Sequence, residues 1–396
     1  MPSSTLPALS RARIAQRAVA AYFMANGLVM GAWVPHVPDR ARELHLDPAT
    51  LGWALLASGL GAVMSMPIAG RLTARVGSRA VCRVAGIGFP VMLSAVVLAP
   101  TMLLLALALF CFGIAGASMD VAMNAQGIAV EEQLGERTIS RLHGMWSIGG
   151  FAGSAITSFM LTRHVPASMI VLSFSFLVAL LVLAGTPFLF TRREEGLHEQ
   201  PHALRPHGRL LLLGLVAFIS MVCEGSMADW SGLYLRVTRG AGLGVSGYGY
   251  AIFAALMVSG RLSGDGIVAR LGEERTLFVG GLIAAAGLGI VIITGWQHLM
   301  SPIWWLVGFA LVGVGLANSS PVIYRTAGRV PEVPAGAGIA TTVGIGYAGL
   351  LAGPPGLGFI GKQAGLTSIL VCVMVLCCGM AYGGRLVRTL AERPIP

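Results

Sequence analysis

Charge is scarce in this sequence. Of its 396 residues 27 are Lys or Arg and 17 are Asp or Glu, 11% in all, less than half of the roughly one quarter typical of a soluble domain. Long polar stretches are scarce with it, which leaves no room for a soluble catalytic or nucleotide-hydrolysing domain. Lysine occurs once against 26 arginines, a bias better ascribed to genome composition than to chemistry. The six cysteines (82, 111, 223, 372, 377 and 378) show neither the spacing of a metal site nor a framework of paired extracellular positions. They fall in or at the ends of apolar segments and read as small buried hydrophobes. Glycine is abundant, but no glycine-rich run lies between a strand and a helix as a nucleotide loop requires. Both absences argue against an ATP-driven pump, and the expectation is a protein that is not an enzyme and has no cofactor and no metal site.

What the chain has instead is apolar length. Hydrophobic residues make up 55% and the mean hydropathy is +0.78. A bilayer core of about 30 Å takes roughly 20 apolar residues per helix, and twelve such spans fall near 17–37, 49–71, 79–99, 102–129, 140–162, 166–190, 209–235, 245–270, 275–296, 302–326, 335–360 and 365–386. The fold class is an all-α, polytopic membrane protein. The first span is too long for a secretion signal and is followed by eleven others, so it reads as an uncleaved helix. Net charge of +10 invites a nucleic-acid reading, which the placement of the basic residues removes. With a cytoplasmic amino terminus, 21 of the 27 fall in inside segments, so the basic excess is the positive-inside bias and both termini face the cytoplasm.

The longest polar run, Thr191–Arg209, reads as a cytoplasmic linker between two halves, 1–190 and 210–396. The halves match at an offset of 195: Gly52-Trp53 with Gly247-Tyr248, Ala74-Arg75-Val76-Gly77 with Ala269-Arg270-Leu271-Gly272, and Gly86 with Gly281. Further on the offset is 200, pairing Gly113 with Gly313 and Ala117 with Ala317. Two six-helix bundles of the same orientation form a parallel repeat, which predicts a binding site between them and alternating access by rocking.

Gly70-Arg71-Leu72-Thr73-Ala74-Arg75-Val76-Gly77-Ser78-Arg79 resembles the signature of the loop between the second and third helices of the major facilitator superfamily. That family usually has an acid where Ala74 stands, so the interhelix contact the acid makes is missing from this loop. Gly260-Arg261-Leu262-Ser263-Gly264-Asp265, followed by Arg270 and Gly272, is similar to the counterpart in the second half, with Asp265 in place to pair with arginines. Helix count, linker and both signatures extend the resemblance over the whole chain. The resemblance implies the two-bundle fold, and with it loop roles for Gly70, Arg71, Arg75, Gly77, Gly260, Arg261, Asp265 and Arg270. Asp120-Val121-Ala122-Met123-Asn124-Ala125-Gln126, Arg141-Leu142-His143-Gly144-Met145-Trp146-Ser147 and Glu224-Gly225-Ser226-Met227-Ala228-Asp229-Trp230 are similar to a bacterial subgroup distantly related to fucose and sugar permeases.

Three acids interrupt otherwise apolar spans. A carboxylate in hydrocarbon is costly unless it faces a cavity or a partner, so an intramembrane acid marks a solute or proton path by default. Asp120 and Asn124 are four apart and share a helical face; the alternative role for Asp120 is an ionic lock to an arginine or to the fifth span. Glu224 lies mid-helix in the seventh span, which by the resemblance lines the central cavity. Asp120 and Glu224 are the proton-coupling candidates. Asp229 is about 140° round the helix from Glu224 and reads as an outer-gate or capping residue. Trp230 beside it matches Trp33 by repeat position, and such a pair is more often an interfacial anchor than a stacking platform. Asn26, seven residues before Trp33, is equally a ligand or interhelical glue. Asn318, Ser319 and Ser320 form a polar patch with Pro321 as a kink point. His143 relays protons or bonds a carbonyl at the end of the fifth span. The substrate-binding candidates are thus Asn26, Asn124, His143, Glu224, Asp229, Trp230 and Asn318.

The functional expectation is a secondary transporter of the bacterial inner membrane, a monomer in the lipid bilayer, moving a small solute together with protons. Symport of a sugar-like or other polar metabolite comes first. Drug/proton antiport, suggested by 18 methionines, and a non-transporting receptor or scaffold are the alternatives.

Overall fold

The computed structural model describes residues 5–136, 138–195, 208–242, 244–294, 303–330, 333 and 335–391. Among these there is no strand, and the backbone groups of the apolar spans are satisfied inside helices, as a spanning segment in hydrocarbon requires. Helix α1 (Thr5–Trp33) passes through a 3₁₀ turn at Val34–His36 into α2 (Val37–Glu43). Pro35 and Pro38 lie in the first turns of those two short elements, where a missing N–H leaves no bond unmade. There follow α3 (Pro48–Val76), α4 (Ser78–Val97), α5 (Met102–Leu134), α6 (Ile139–Thr162) and α7 (Ala167–Gly185). The second half holds α8 (Gly208–Thr238), α9 (Tyr248–Leu262), α10 (Gly264–Ile293), α11 (Ile303–Leu316), α12 (Ser319–Ala327), α13 (Ala335–Ala364) and α14 (Leu366–Ala391).

Among the described residues each of the twelve expected spans falls mainly on helix, and ten helical segments are long and apolar enough to cross a membrane. The other two are α6, diluted by Gly, Ser and Thr, and α9, only 15 residues long and so about 22 Å at 1.5 Å per residue. The tenth span is broken: α11 ends at Leu316 and α12 starts at Ser319, with Asn318 as its N-cap. Pro321 accounts for the break, because it has no N–H for the carbonyl of Ala317, four residues back. Helix ends follow local chemistry. Thr101 Oγ1 accepts from Leu104 N at 3.3 Å at the start of α5, and Gly135, at φ 65°, closes its end.

Two compact units emerge, Met1–Leu46 with Ala54–His198 and Gly242–Gly247, and Asp47–Trp53 with Glu199–Ala241 and Tyr248–Pro396. In the first, α1 packs on α6, α5 and α7, and α4 on α5 and α7; in the second, α8 packs on α13 and α14, and α10 on α11 and α14. The repeat seen in the sequence recurs as packing. A Cβ at Gly113 would strike the Ser58 carbonyl, and one at Gly313 the Phe253 carbonyl; Gly86 abuts Val182 as Gly281 abuts Cys377; Gly149 abuts Met24 as Gly349 abuts Phe218. Gly77, between α3 and α4, and Gly272, at a kink where two helical segments of α10 meet, are also 195 apart, and both have positive φ, 90° and 79°, the conformation such a turn needs.

Large apolar side chains cover the outside, with Leu103, Phe176, Leu177 and Val375 all more than half exposed. Such a surface suits hydrocarbon rather than water. Cys82, Cys223 and Cys377 are buried, but Cys372 and Cys378 are half-buried and Cys111 is exposed. The reading of all six as buried therefore holds for three. Trp33 and Trp230 are buried as well, 5% and 1% exposed, so neither is the interfacial anchor suggested by its position near a helix end.

Candidate functional site

In the first unit the polar residues gather where α1, α5 and α6 meet. Glycines set the spacing: Gly27 and Gly31 of α1 lie against the carbonyls of Trp146 and Gly150, and Gly149 and Gly153 of α6 lie against those of Met24 and Leu28. With no Cβ between them the two helices touch along their backbones. That approach lets Trp146 Nε1 donate to Asn26 Oδ1 at 2.8 Å, while Asn26 Nδ2 donates to Gly116 O on α5 at 3.4 Å. Asn26 is thus interhelical glue with its amide engaged at both ends. One turn away in the same seam, Phe23 meets the ring of His143 edge-on, centroids 5.1 Å apart, and His143 itself is exposed.

Asp120 stands one turn along α5 from Gly116. Its Oδ1 accepts from Asn124 Nδ2 at 3.2 Å, and the same nitrogen donates to the Asp120 carbonyl at 2.9 Å. The polar stripe expected on that face is present. Among the described residues no arginine or lysine pairs with Asp120, which removes the ionic-lock alternative for these residues.

In the second unit the polar residues of α8, α9 and α12 converge. Glu224 of α8 accepts from Arg261 Nη2 of α9 at 3.1 and 3.4 Å, both side chains about a quarter exposed. Arg261, read from the sequence as part of a loop signature, is in fact the partner of the midmembrane acid. A turn before Glu224, the Ser220 and Ser319 hydroxyls are 2.7 Å apart, and Asn318 Nδ2 donates to Gly260 O at 3.2 Å. Gly264 makes room for the Asn318 amide. The break in the tenth span therefore places Asn318 and Ser319 against α9 and α8, and Asn318 serves as a brace. Tyr250 of α9 lies within electrostatic reach of Glu224, Arg261 and Asp229, and Tyr324 of α12 within reach of Glu224 and Arg261. Neither tyrosine was singled out from the sequence; their one signal is a polar tip in an apolar span.

Asp229, five residues beyond Glu224, has no hydrogen bond or ion pair among the described residues. Its neighbour Trp230 is fully buried with Nε1 unpartnered, and its ring lies 3.2 Å from where a Cβ at Gly358 would sit. Trp230 is thus buried with its ring edge against α13, packed rather than offered as a platform.

The loop residues behave differently. Gly70 contacts nothing within 4 Å of a would-be Cβ, Arg71, Arg75 and Arg270 are exposed, and the Asp265 side chain lies outside the described residues. Past Ala74, an acid from the segment after α7 meets the start of α4. Glu195, buried at 9% exposure, accepts from Ser78 N at 3.2 Å, Ser78 Oγ at 2.8 Å and Gln126 Nε2 at 3.2 Å. It thereby satisfies the first N–H of α4. Gln126 also donates to Phe190 O at 2.9 Å and accepts from Phe190 N at 2.9 Å. Arg11 donates to Glu194 at 3.1 Å and to the carbonyls of Phe188 and Leu189. Partial burial works to raise the Glu194 carboxyl, but Thr191's N–H and hydroxyl and the Arg11 guanidinium outweigh it and hold it below the usual range. The first residues of the linker are thus tied to the first unit. Nothing in the order Glu194-Glu195 alone announces it, since Gln126 and Ser78 lie 69 and 117 positions from Glu195, and Arg11 lies 183 from Glu194.

Duplicated helical packing around carboxylates inside apolar helices defines a polytopic membrane protein of the transporter class. The family model of the Major Facilitator Superfamily matches residues 18–354, and the chain belongs to that superfamily. An MFS-type transporter of Yersinia pestis is 38% identical over 367 residues, 93% of this chain and 94% of the relative. A transporter of Sinorhizobium fredii, y4wD, is 35% identical over 354 residues, 88% and 91% of the two chains, and the membrane protein MosC of Rhizobium meliloti 32% over 372, 92% and 89%. Among solved structures, a variant of the nucleoside transporter NupG superposes with a TM-score of 0.75 at 12% identity, covering 94% of this chain and 99% of that one; at that identity the likeness is one of fold.

Proposed function

We propose that this superfamily member is a proton-coupled symporter of a sugar-like or other small polar metabolite, working by alternating access as a monomer in the bacterial inner membrane with both termini in the cytoplasm. The observation that carries the reading is Asp120, a carboxylate inside an apolar helix whose partner among the described residues is the neutral amide of Asn124. Such an acid is free to take up and release a proton without breaking an ion pair. Glu224 supplies the second coupling step by exchanging its Arg261 partner for a proton, and Tyr250, Tyr324 and Asp229 present hydroxyls and a carboxylate suited to a hydroxylated solute. Asn26 and Asn318 brace the helices around these groups.

The test is uptake into liposomes under an imposed inward proton gradient, with monosaccharides, polyols and nucleosides as the first panel. Wild type accumulates its solute; Asp120→Asn retains downhill exchange but loses accumulation, and Glu224→Gln loses at least ten-fold in rate. If both variants concentrate solute as wild type does, the coupling assignment is wrong. Extrusion of apolar cations instead of uptake makes the protein an antiporter.

A further inference from the structure

At the loop end of the first unit, the start of α4 and the segment after α7 enclose a pocket of about 300 Å³ lined by Gly77, Arg79, Arg83, Thr186, Thr191 and Arg192. Three arginines are among the residues that line it. Arg79 and Arg83 are one helical turn apart, where like charges repel, and Arg192 arrives from the opposite strand of chain, its Cβ 2.9 Å from where a Cβ at Gly77 would sit. Among the described residues none of the three has a carboxylate partner. The two acids nearest in sequence are engaged elsewhere, Glu194 with Arg11 and Thr191 and Glu195 with Ser78 and Gln126. The hydroxyls are engaged too: Thr186 with Tyr22 at 2.7 Å and Thr191 with Glu194 at 2.8 Å. What the side chains lining the pocket chiefly offer is N–H donors and positive charge.

Positive-inside bias explains why arginines lie on this side of the chain, but not why three of them surround one cavity without an acid. The geometry points to a binding site for a phosphate-bearing anion, and specifically for the headgroup phosphate of an anionic phospholipid. Guanidinium forks match phosphate oxygens two at a time, and basic pockets between helices at the cytoplasmic surface suit acidic headgroups. The pocket lies where α4 enters the apolar span and where the exposed faces of Leu72, Val76 and Val84 can accommodate acyl chains. Because Thr191 and Arg192 belong to the start of the linker, an occupant would hold that segment against the first unit together with Glu195. The site is separate from the intramembrane acids and does not depend on what they carry.

The test is native mass spectrometry of the full-length protein, delipidated in detergent and titrated with phosphatidylglycerol, phosphatidylcholine or inorganic phosphate. Wild type is expected to retain phosphatidylglycerol at least ten-fold better than phosphatidylcholine, and Arg79→Gln/Arg83→Gln/Arg192→Gln to lose that preference. Arg71→Gln/Arg75→Gln, which removes two exposed arginines outside the pocket, is expected to change it less than two-fold. Arg192→Gln alone, at an exposed loop position, serves if the triple variant does not fold, with an expected loss of about five-fold per arginine. Stabilisation of wild type by inorganic phosphate without phospholipid preference would keep the anion chemistry and overturn the lipid source. Equal loss in the two arginine sets, or no dependence on Arg192, overturns the site.

Discussion

Glu224 and Arg261 show how a single pairing redefines two residues. Removing one partner of such a pair leaves an uncompensated charge in a low-dielectric setting, whereas removing both leaves none. Arg261→Gln is therefore expected to lower thermal stability more than Glu224→Gln/Arg261→Gln does, by less than the roughly 3–5 kcal/mol of a fully buried pair, because both side chains keep about a quarter of their exposure. Melting temperatures of the single and double variants check this, and equal shifts for both would refute it. Glu195 makes a comparable claim on the first unit. Glu195→Ala strands the N–H of Ser78 and removes one of the bonds the Gln126 amide makes, at about 1.5–3 kcal/mol for bonds to a charged group, readable as a drop in melting temperature and as faster hydrogen exchange at Ser78–Val81.

At the level of elements, glycine contacts decide which helices touch. Gly313→Ala would drive a methyl into the Phe253 carbonyl, whereas a Cβ at Gly344 meets nothing within 4 Å. Gly313→Ala is expected to reduce the yield of monodisperse protein sharply, and Gly344→Ala to leave it unchanged; size-exclusion profiles after extraction distinguish the two. Helix positions were legible in the sequence because hydrocarbon thickness demands apolar length, and the turns at Gly77 and Gly272 were legible from the repeat. Other element features were not. That Asn318 braces α9, that Trp230 is buried beneath α13 and that Asn26 bonds Trp146 on α6 all depend on which face of each helix meets a neighbour. Apolar spans are apolar all round, so periodicity carries little information about facing.

For the whole molecule, the loop acids link stability to pH. The Glu194 carboxyl is held low against the effect of burial, as described above; the Asp47 carboxyl is held low chiefly by the Thr50 N–H and then by Lys362, 3.0 Å away. A carboxyl whose folded pKa is depressed adds stability that is present above its unfolded value, about 4, and is lost as pH falls through the folded value. Melting temperature is thus expected to be level from pH 7 to about 5 and to fall below about 4, with Glu194→Gln flattening part of that decline. A decline that begins near neutrality would point to other groups.

The number of spans, the two-fold repeat and the identity of the acids inside apolar helices came from the sequence by itself, because each reflects a demand that acts locally: apolar length for the bilayer, small residues at the turns, rarity of charge in hydrocarbon. The pairing of Glu224 with Arg261, the capping of α4 by Glu195, and the lining of one pocket by Arg79, Arg83 and Arg192 were decided by tertiary structure. Those contacts join residues 37 to 117 positions apart or set side chains around a cavity, and distance in the chain carries no trace of distance in space until the helices have packed.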